Sequence, residues 1–257
     1  MLSFVGRSLR VVLTVSAFFF FFLGGCILSW IVLPFVALRW REPDERARRC
    51  QAIVHRGYRL FHGYMHVMRL VRFTRPTTTL TLPAGPYVLI ANHPTLVDVT
   101  AIMSSVKSLC VVVKPSLFRN IFVGRLLRYC RHIPAGADAA AAGDVIAECA
   151  ERLAKGFPVL IFPEGTRSPS DDLHPFKRGA LEIARRAGVP VIPLWLDCTP
   201  PMLNHDLPWW YAPRRVPRLT IEQLPQVAPS DLQDTREMIR AISATYAARV
   251  AAAARHN

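Results

Sequence analysis

The first forty residues are dominated by one long apolar run. Residues 11–38 contain no charged side chain, and about twenty such residues cross the hydrocarbon core of a bilayer as a helix. Gly24 and Gly25 lie near the middle of the run and leave two arrangements open, a single tilted span or a shallow re-entrant hairpin. A secretory signal peptide fits poorly, because the run is about twice the usual length and no A-x-A site precedes the charged segment that follows. We therefore predict a membrane anchor over residues 1–40.

The next segment, residues 41–74, has the periodicity of an amphipathic helix. Apolar side chains recur at helical spacing over residues 50–73, which is typical of one face of a helix. Histidines and arginines recur at the same spacing on another face: His55, Arg59, His62, His66 and Arg69. A wide apolar face beside a basic one is typical of a helix lying in a membrane interface. An ordinary amphipathic helix packed on a domain has the same pattern, so both interpretations stay open.

From residue 75 to 257 the pattern changes to short apolar runs that alternate with helical stretches. This alternation predicts an α/β domain with a largely parallel central sheet flanked by helices, whose active site lies beyond the carboxyl ends of the strands. The predicted strands are 87–91, 109–113, 158–162, 189–196 and 218–224. The predicted helices begin near 95 and cover 122–130, 138–155 and 176–187, with a long C-terminal helix opened by Pro229 and Ser230 in a capping box with Gln233.

The charge of the chain indicates an anionic partner. The chain is 51% hydrophobic, yet its formal net charge is +14, which argues against a purely nucleic-acid-binding protein and for contact with an anionic, partly apolar surface such as a membrane. Arginines are in excess after the apolar run, which favours a cytoplasmic location for the rest of the chain. The six cysteines show neither C-x-x-C nor zinc spacing, so a reducing compartment is expected.

A histidine and an aspartate follow the predicted strand 87–91. His93 comes just past the end of the strand, and Asp98 falls in the first turn of the predicted helix, close enough to reach back to the imidazole. An aspartate that keeps one ring nitrogen protonated leaves the other free to accept a proton, as a general base does. Thr95 and Asp98 also have capping-box spacing, so a purely structural role for Asp98 stays open.

A second polar cluster follows the predicted strand 158–162. Residues 164–168 there are Glu164, Gly165, Thr166, Arg167 and Ser168, and Lys177 and Arg178 add positive charge where the next predicted helix begins. Backbone amides at a glycine, a hydroxyl and a guanidinium beyond the end of a strand are groups that bind phosphate. A solvated polar loop is the alternative.

Together the two clusters resemble the lysophospholipid acyltransferase family, that is, proteins similar to 1-acyl-sn-glycerol-3-phosphate acyltransferase. Asn92, His93 and Asp98 match the motif N-H-x-x-x-x-D of that family, and residues 162–168 match F-P-E-G-T-R-S without a substitution. Residues 189–193 match an apolar V-P-V-I-P block. The resemblance covers about residues 75–200.

This resemblance implies transfer of a fatty acyl group from acyl-CoA or acyl carrier protein to the hydroxyl of a lysophospholipid, most simply 1-acylglycerol-3-phosphate. It implies that His93 is the general base and that Asp98 orients it, with no metal or bound cofactor. The substrate-binding residues it implies are Asn92, Lys114, Glu164, Gly165, Thr166, Arg167, Ser168 and Lys177. Both substrates carry lipid chains, so we expect the protein at a membrane, specifically the bacterial inner membrane with the active site facing the cytoplasm.

The sequence departs from the family at one motif. Residues 133–136 read Ile-Pro-Ala-Gly where the family usually carries an arginine that helps to hold the phosphate of the acceptor. Arg128 or Arg131 could take that place. Other acceptors therefore stay open, such as a lyso-aminolipid (lyso-ornithine lipid, for example) or another lysophospholipid. A thioesterase and a non-catalytic membrane protein are the alternatives from other classes.

Overall fold

The structure is a computed structural model that describes residues 2–74, 80–136, 141–169, 172–204 and 206–254. It begins with one unbroken helix made of α1 (Leu2–Ile27), a π-helical turn (Leu28–Val32) and α2 (Leu33–Arg39). This helix does not turn back at Gly24 and Gly25, so these two residues do not form the turn of a re-entrant hairpin.

The N-terminal helix lies along the body of the protein. Arg10 donates hydrogen bonds to the carbonyls of Pro213 and Arg214, and Ser29 Oγ donates to Phe122 O at 2.7 Å. A Cβ atom on Gly25 would come within 3.1 Å of Phe122 O, so this close approach favours glycine. The segment Leu9–Arg39 is long and apolar enough to cross a membrane by length and composition alone. Its outward face carries a stripe of exposed apolar side chains: Val12, Val15, Phe19, Leu23, Ile27, Trp30, Ile31, Phe35 and Leu38.

Helix α3 (Pro43–Val67) follows, with Glu42 as its N-cap and proline in its first turn. The predicted basic face is wrong for two of its members. His55 and His62 are buried, where they bond to Met103 O and Thr100 Oγ1 of the next helix. These two histidines have polar partners inside the fold, so burial leaves them satisfied.

The boundary predicted at residue 74 is also displaced. The helix ends at Val67, and Arg72–Thr74 form the edge strand β1 of the sheet. Leu60 and Val67, two of the apolar residues within the helical pattern of 50–73, are 76% and 72% exposed. The sheet therefore begins within the segment that was assigned to the interfacial helix.

A mostly parallel sheet of seven strands forms the centre of the molecule, in the order β1-β7-β6-β2-β5-β3-β4. Among the described strands only β6 and β7 pair antiparallel, and a single antiparallel bridge also joins Val191 to Val227. The strands after β1 are β2 (Val88–Ala91), β3 (Cys110–Val113), β4 (Ile133–Pro134), β5 (Val159–Ile161), β6 (Val191–Thr199) and β7 (Arg218–Gln223). The carboxyl ends of β2, β5 and β3 meet at one edge of the sheet, because these neighbouring strands run in parallel. This arrangement confirms the predicted fold class.

Helices cover both faces of the sheet. They are α4 (Asp98–Ser105), α5 (Gly124–Tyr129), α6 (Ala141–Ala154), α7 (Gly179–Ala187) and α8 (Thr235–Ala254). Successive strand residues point to opposite faces, so Leu89 and Ala91 pack with α3, α4 and α5, whereas Val88 and Ile90 pack with α6, α7 and α8. Strands with apolar side chains on both faces are typical of buried parallel sheets.

Four helix starts differ from prediction, since α5 begins at Gly124 rather than at 122 and α7 at Gly179 rather than at 176. Helix α4 begins at Asp98 rather than near Thr95, and α8 begins at Thr235 rather than at Ser230. Pro229–Leu232 form a separate 3₁₀ turn, and Asp234 Oδ1 then accepts from the two backbone N–H groups that follow Thr235. The first residues of the helix predicted over 138–155 lie outside the described part of the chain.

Candidate active site

The candidate catalytic pair lies at the carboxyl end of β2. His93 Nδ1 donates to Asp98 Oδ2 at 2.8 Å. The side chain of Asp98 is fully buried, whereas that of His93 is 16% exposed. With the proton held on Nδ1 by the carboxylate, Nε2 is left with its lone pair free to accept a proton. The ring also stacks on Phe162 at the end of β5, with 4.4 Å between centroids.

Asp98 serves the backbone as well as the imidazole. Its Oδ2 also accepts from Thr95 N at 2.7 Å, and its Oδ1 accepts from Thr95 Oγ1. The carboxylate thus fixes the turn that separates β2 from α4. The two interpretations of Asp98, catalytic partner and cap, are therefore compatible in one side chain.

Glu164 connects the second cluster to the first. It is buried, and its Oε1 accepts from the backbone N of His93 at 3.1 Å and from Ser168 Oγ at 2.6 Å. Its Oε2 accepts from the backbone N of His174 at 2.9 Å. Ser168 N in turn donates to His93 O at 2.8 Å. Glu164 and Ser168 therefore position the loop that carries His93, and the predicted contact of their side chains with substrate stays a prediction.

Asn92 also has a structural position. Its amide donates to Leu196 O and accepts from Leu196 N, both at 2.8 Å. The side chain is buried, and these bonds tie the end of β2 to β6. These two bonds give Asn92 a structural role at the end of β2, and the predicted substrate contact stays a prediction.

The remaining residues of the second cluster surround the tight turn after β5. Gly165 has a φ of +73°, a conformation that favours glycine, and a Cβ there would lie 3.3 Å from Lys177 Nζ. Arg167 Nη1 donates to Leu203 O at 3.1 Å and to Asn204 O at 2.9 Å. The ammonium group of Lys177 is thus placed over Gly165, whereas Arg167 is anchored to the loop after β6. Thr166 is half-buried between them.

Of the other basic candidates, Lys114 follows β3 at the same edge of the sheet and is exposed. Like the side chains of the turn after β5, it is not part of the wall of the cavity that contains His93. Arg131 forms ion pairs with Asp44 and Glu151. Since its charge is compensated inside the protein, Arg131 is not free to replace the missing family arginine.

His93 opens into an apolar cavity of about 400 Å³ between the N-terminal helix, α3 and the sheet edge. Apolar side chains form most of its wall, among them Phe18, Phe21, Phe61, Val97, Leu117 and Met202. Two arginines that were not predicted, Arg10 and Arg69, also line it. One feature of the sequence could have indicated Arg10: it is the last charged residue before the uncharged run of 28 residues that spans 11–38. Across the described residues, no three His, Cys, Asp or Glu side chains lie close enough to share a metal ion.

The fold and the site thus define an α/β domain in which a histidine–aspartate pair faces an apolar cavity. Residues 71–197 match the family described as Acyltransferase. The family predicted from the two motifs is therefore confirmed.

Curated relatives have consistent names. The chain is 35% identical over 112 residues to the chloroplastic 1-acyl-sn-glycerol-3-phosphate acyltransferase BAT2 of Brassica napus. The aligned stretch covers 43% of this chain and 33% of that protein. It is 31% identical over 189 residues to 1-acyl-sn-glycerol-3-phosphate acyltransferase alpha of Mus musculus, covering 70% of this chain and 62% of that protein. The matched stretch therefore spans about a third of the plant relative and less than two thirds of the mouse relative.

A solved structure has the same fold. The 1-acyl-sn-glycerophosphate (LPA) acyltransferase PlsC of Thermotoga maritima superposes with a TM-score of 0.74 over 95% of this chain and 96% of that chain. The sequence identity is 20%, so the likeness concerns the fold, including the helices that precede the sheet.

Proposed function

We propose that the protein transfers a fatty acyl group from a thioester donor to the free hydroxyl of 1-acylglycerol-3-phosphate and so forms phosphatidic acid. The observation that carries this proposal is the His93–Asp98 pair at the wall of an apolar cavity. A general base beside a volume suited to an acyl chain is what lipid hydroxyl acylation requires.

His93 acts through Nε2 in this proposal. Nε2 takes the hydroxyl proton of the acceptor while the freed oxygen forms a bond to the thioester carbonyl carbon. Asp98 stabilises the imidazolium that results, because its carboxylate already accepts from Nδ1. Collapse of the tetrahedral intermediate breaks the carbon–sulfur bond, and the thiolate recovers the proton from His93. No acyl-enzyme is formed, and no metal or bound cofactor takes part.

The acceptor phosphate is assigned to the turn after β5. The ammonium of Lys177 lies over Gly165 there, and Thr166 is the next residue of the turn. Backbone amides, hydroxyls and cations are phosphate ligands. Arg167 Nη1 is engaged by two backbone carbonyls, so Arg167 contributes through its remaining N–H groups. The acyl donor is the thioester of coenzyme A or of acyl carrier protein. In either case the acyl chain of the donor occupies the cavity.

The N-terminal helix is the proposed membrane anchor. Its outward apolar stripe, in a chain of net charge +14, favours attachment to an anionic bilayer. We assign residues 1–40 to this anchor and place the protein at the bacterial inner membrane, with the site on the cytoplasmic side as the arginine excess after the helix favours.

The test uses membranes that contain the protein, with labelled acyl-CoA or acyl carrier protein and 1-acylglycerol-3-phosphate. The wild type is compared with His93→Ala and with His66→Ala, an exposed histidine of α3 that serves as a matched control. We expect labelled phosphatidic acid from the wild type and the control, and a loss of about a hundredfold or more for His93→Ala. Equal activity of all three proteins would contradict the assigned base.

One observation favours a second acceptor. Residues 133–136 lack the family arginine, and Arg131 is held by two carboxylates. A lyso-aminolipid or another lysophospholipid would place less demand on a phosphate site. Parallel assays with these acceptors, scored by kcat/KM, separate the two proposals. Release of free fatty acid without any acceptor would identify a thioesterase instead.

A further inference from the structure

A second cavity, which the proposed reaction does not use, lies between the N-terminal helix and α5. It is an open groove of about 570 Å³. Aromatic and basic side chains dominate its wall: Trp30, Phe118, Arg119, Arg125, Arg128 and Tyr129. Asn120 is the one residue, within the described part of the chain, that lines both this groove and the cavity of His93.

The wall of the groove is ordered by hydrogen bonds and stacking. Trp30 Nε1 donates to Ile121 O at 2.8 Å, which fixes the indole against the loop before α5. The guanidinium of Arg125 lies over this indole with its carbon 4.5 Å from the ring centroid. A stacked guanidinium keeps its N–H edges available for a planar anion, and Arg125 Nη2 also lies 3.5 Å from the hydroxyl of Tyr129.

The positive charge of the groove is uncompensated. Residues 99–137 include six lysines and arginines and no aspartate or glutamate. None of the ion pairs between described residues involves Arg119, Arg125 or Arg128. Arg131, a few residues further on, is paired with two carboxylates. Unlike Arg131, the three groove arginines form no ion pair with a described carboxylate. Their positive charges can therefore bind an anion from outside the protein.

The groove borders the apolar surface of the N-terminal helix. Trp30 is 53% exposed and belongs to the outward apolar stripe, and Ile121 beside it is 64% exposed. Going outward from its centre, a bilayer presents acyl chains, then the interfacial layer that tryptophan prefers, and then the phosphates, which attract arginine. The side chains beside the groove follow the same order.

We propose that this groove binds the headgroup phosphate of an anionic phospholipid of the surrounding membrane, at a site separate from the catalytic cavity. Arg125 and Arg128 contact the phosphate oxygens, Trp30 lies at the level of the ester groups, and the acyl chains follow the apolar stripe. The site orients the protein on the bilayer. The proposal does not depend on the acyltransferase activity, because it concerns binding without turnover.

The test measures binding of the full-length protein to vesicles of phosphatidylcholine with and without phosphatidylglycerol. The variant Arg125→Gln/Arg128→Gln is compared with Arg236→Gln/Arg240→Gln, which removes the same charge from the exposed side of α8 across the sheet. We expect the first variant to lose about thirtyfold in affinity for the anionic vesicles. The second variant loses less than about threefold, and binding to phosphatidylcholine alone changes in neither.

A charge-conserving variant distinguishes a specific headgroup-binding site from non-specific electrostatic attraction to the vesicle. Arg125→Lys keeps the charge but loses the planar guanidinium, so it should lose part of the affinity while retaining the wild-type thermal unfolding temperature. Equal losses in the two double variants, or no loss in the first, would overturn the proposal. Full displacement from vesicles by inorganic phosphate would overturn the lipid assignment in favour of a site for free phosphate.

Discussion

The carboxylate of Glu164 accepts a hydrogen bond from the backbone N–H of His93 at 3.1 Å, across 71 residues of sequence. The acidic residue of the second motif thus acts on the main chain of the first, and the same carboxylate accepts from Ser168 Oγ and from the backbone N of His174. This relationship joins the two motifs physically: one carries His93, the proposed base, and the other fixes the loop on which His93 is held.

Glu164→Gln should therefore lower kcat and leave the KM of both substrates nearly unchanged. The amide keeps one acceptor oxygen but brings an N–H group against a backbone donor, so the loop shifts and His93 is misplaced. A displacement on the order of 1 Å costs about a hundredfold in rate. Steady-state kinetics against both substrates measure the split. A large rise in the KM of the lysophospholipid with an unchanged kcat would indicate direct substrate binding instead.

Asp98→Asn should reduce both activity and stability. The amide cannot hold the Nδ1–H tautomer of His93, which costs on the order of a thousandfold or more in kcat. It also places a donor near the two donating groups of Thr95, so the free energy of unfolding should fall by about 1–3 kcal/mol. Thr95→Val is the matched comparison: it removes one bond to Asp98, lowers stability and retains most of the activity.

Asn92→Ala should act on the fold rather than on substrate affinity. It leaves the buried N–H and C=O of Leu196 without partners, which costs about 2–4 kcal/mol in the free energy of unfolding. Denaturant unfolding measures this loss. An unaltered stability together with a raised KM would restore the substrate-binding role that the motif predicted.

Gly124→Ala should destabilise the protein, because the new Cβ would lie 2.5 Å from the backbone oxygen of Phe118. Such overpacking against main chain costs about 1–3 kcal/mol. Gly63→Ala is the control, since Gly63 lies within α3 and has no atom within 4 Å of the Cβ position. That change should be neutral or stabilising by up to about 1 kcal/mol. Parallel thermal unfolding of the two variants decides between these outcomes.

Two buried histidines should make stability fall in acid. Burial lowers the pKa of His62 and of His132 to about 4 each, and His132 Nδ1 accepts from Val111 N at 3.0 Å. Between pH about 6.5 and 4 these two imidazoles are protonated in the unfolded chain but neutral in the folded chain. The free energy of unfolding therefore decreases as the pH falls through this range.

His132→Asn isolates one of these histidines. Asparagine can still accept from Val111 N but does not titrate, so the slope of stability against pH should fall by up to about 1.4 kcal/mol per pH unit between those limits. His66→Gln, at an exposed position, should leave the slope as it is. Urea unfolding at a series of pH values gives both slopes, and equal slopes in the two variants would argue against burial as the cause.

Much of the fold followed from local pattern. Runs such as 87–91 and 158–162 predicted β2 and β5 because strands buried on both faces consist of apolar residues, and the motifs that follow them located His93, Asp98 and Glu164 at one sheet edge. The long uncharged run likewise predicted the N-terminal helix, because an apolar segment of this length requires an apolar environment and is long enough to cross a bilayer as a helix.

The partners of polar side chains were decided only by tertiary structure. Asn92 bonds to Leu196 at a separation of 104 residues, and His62 finds Thr100 on another helix. Periodicity assigns a face to each residue, but whether that face meets solvent, lipid or a hydrogen-bond partner depends on which elements pack together. Local pattern therefore predicted the kinds of element and their order, and it identified His93 and Asp98 as the candidate catalytic pair. The packing decided that Asn92 and Glu164 support the site, that Arg131 is already paired, and that Trp30 and Arg125 form a groove.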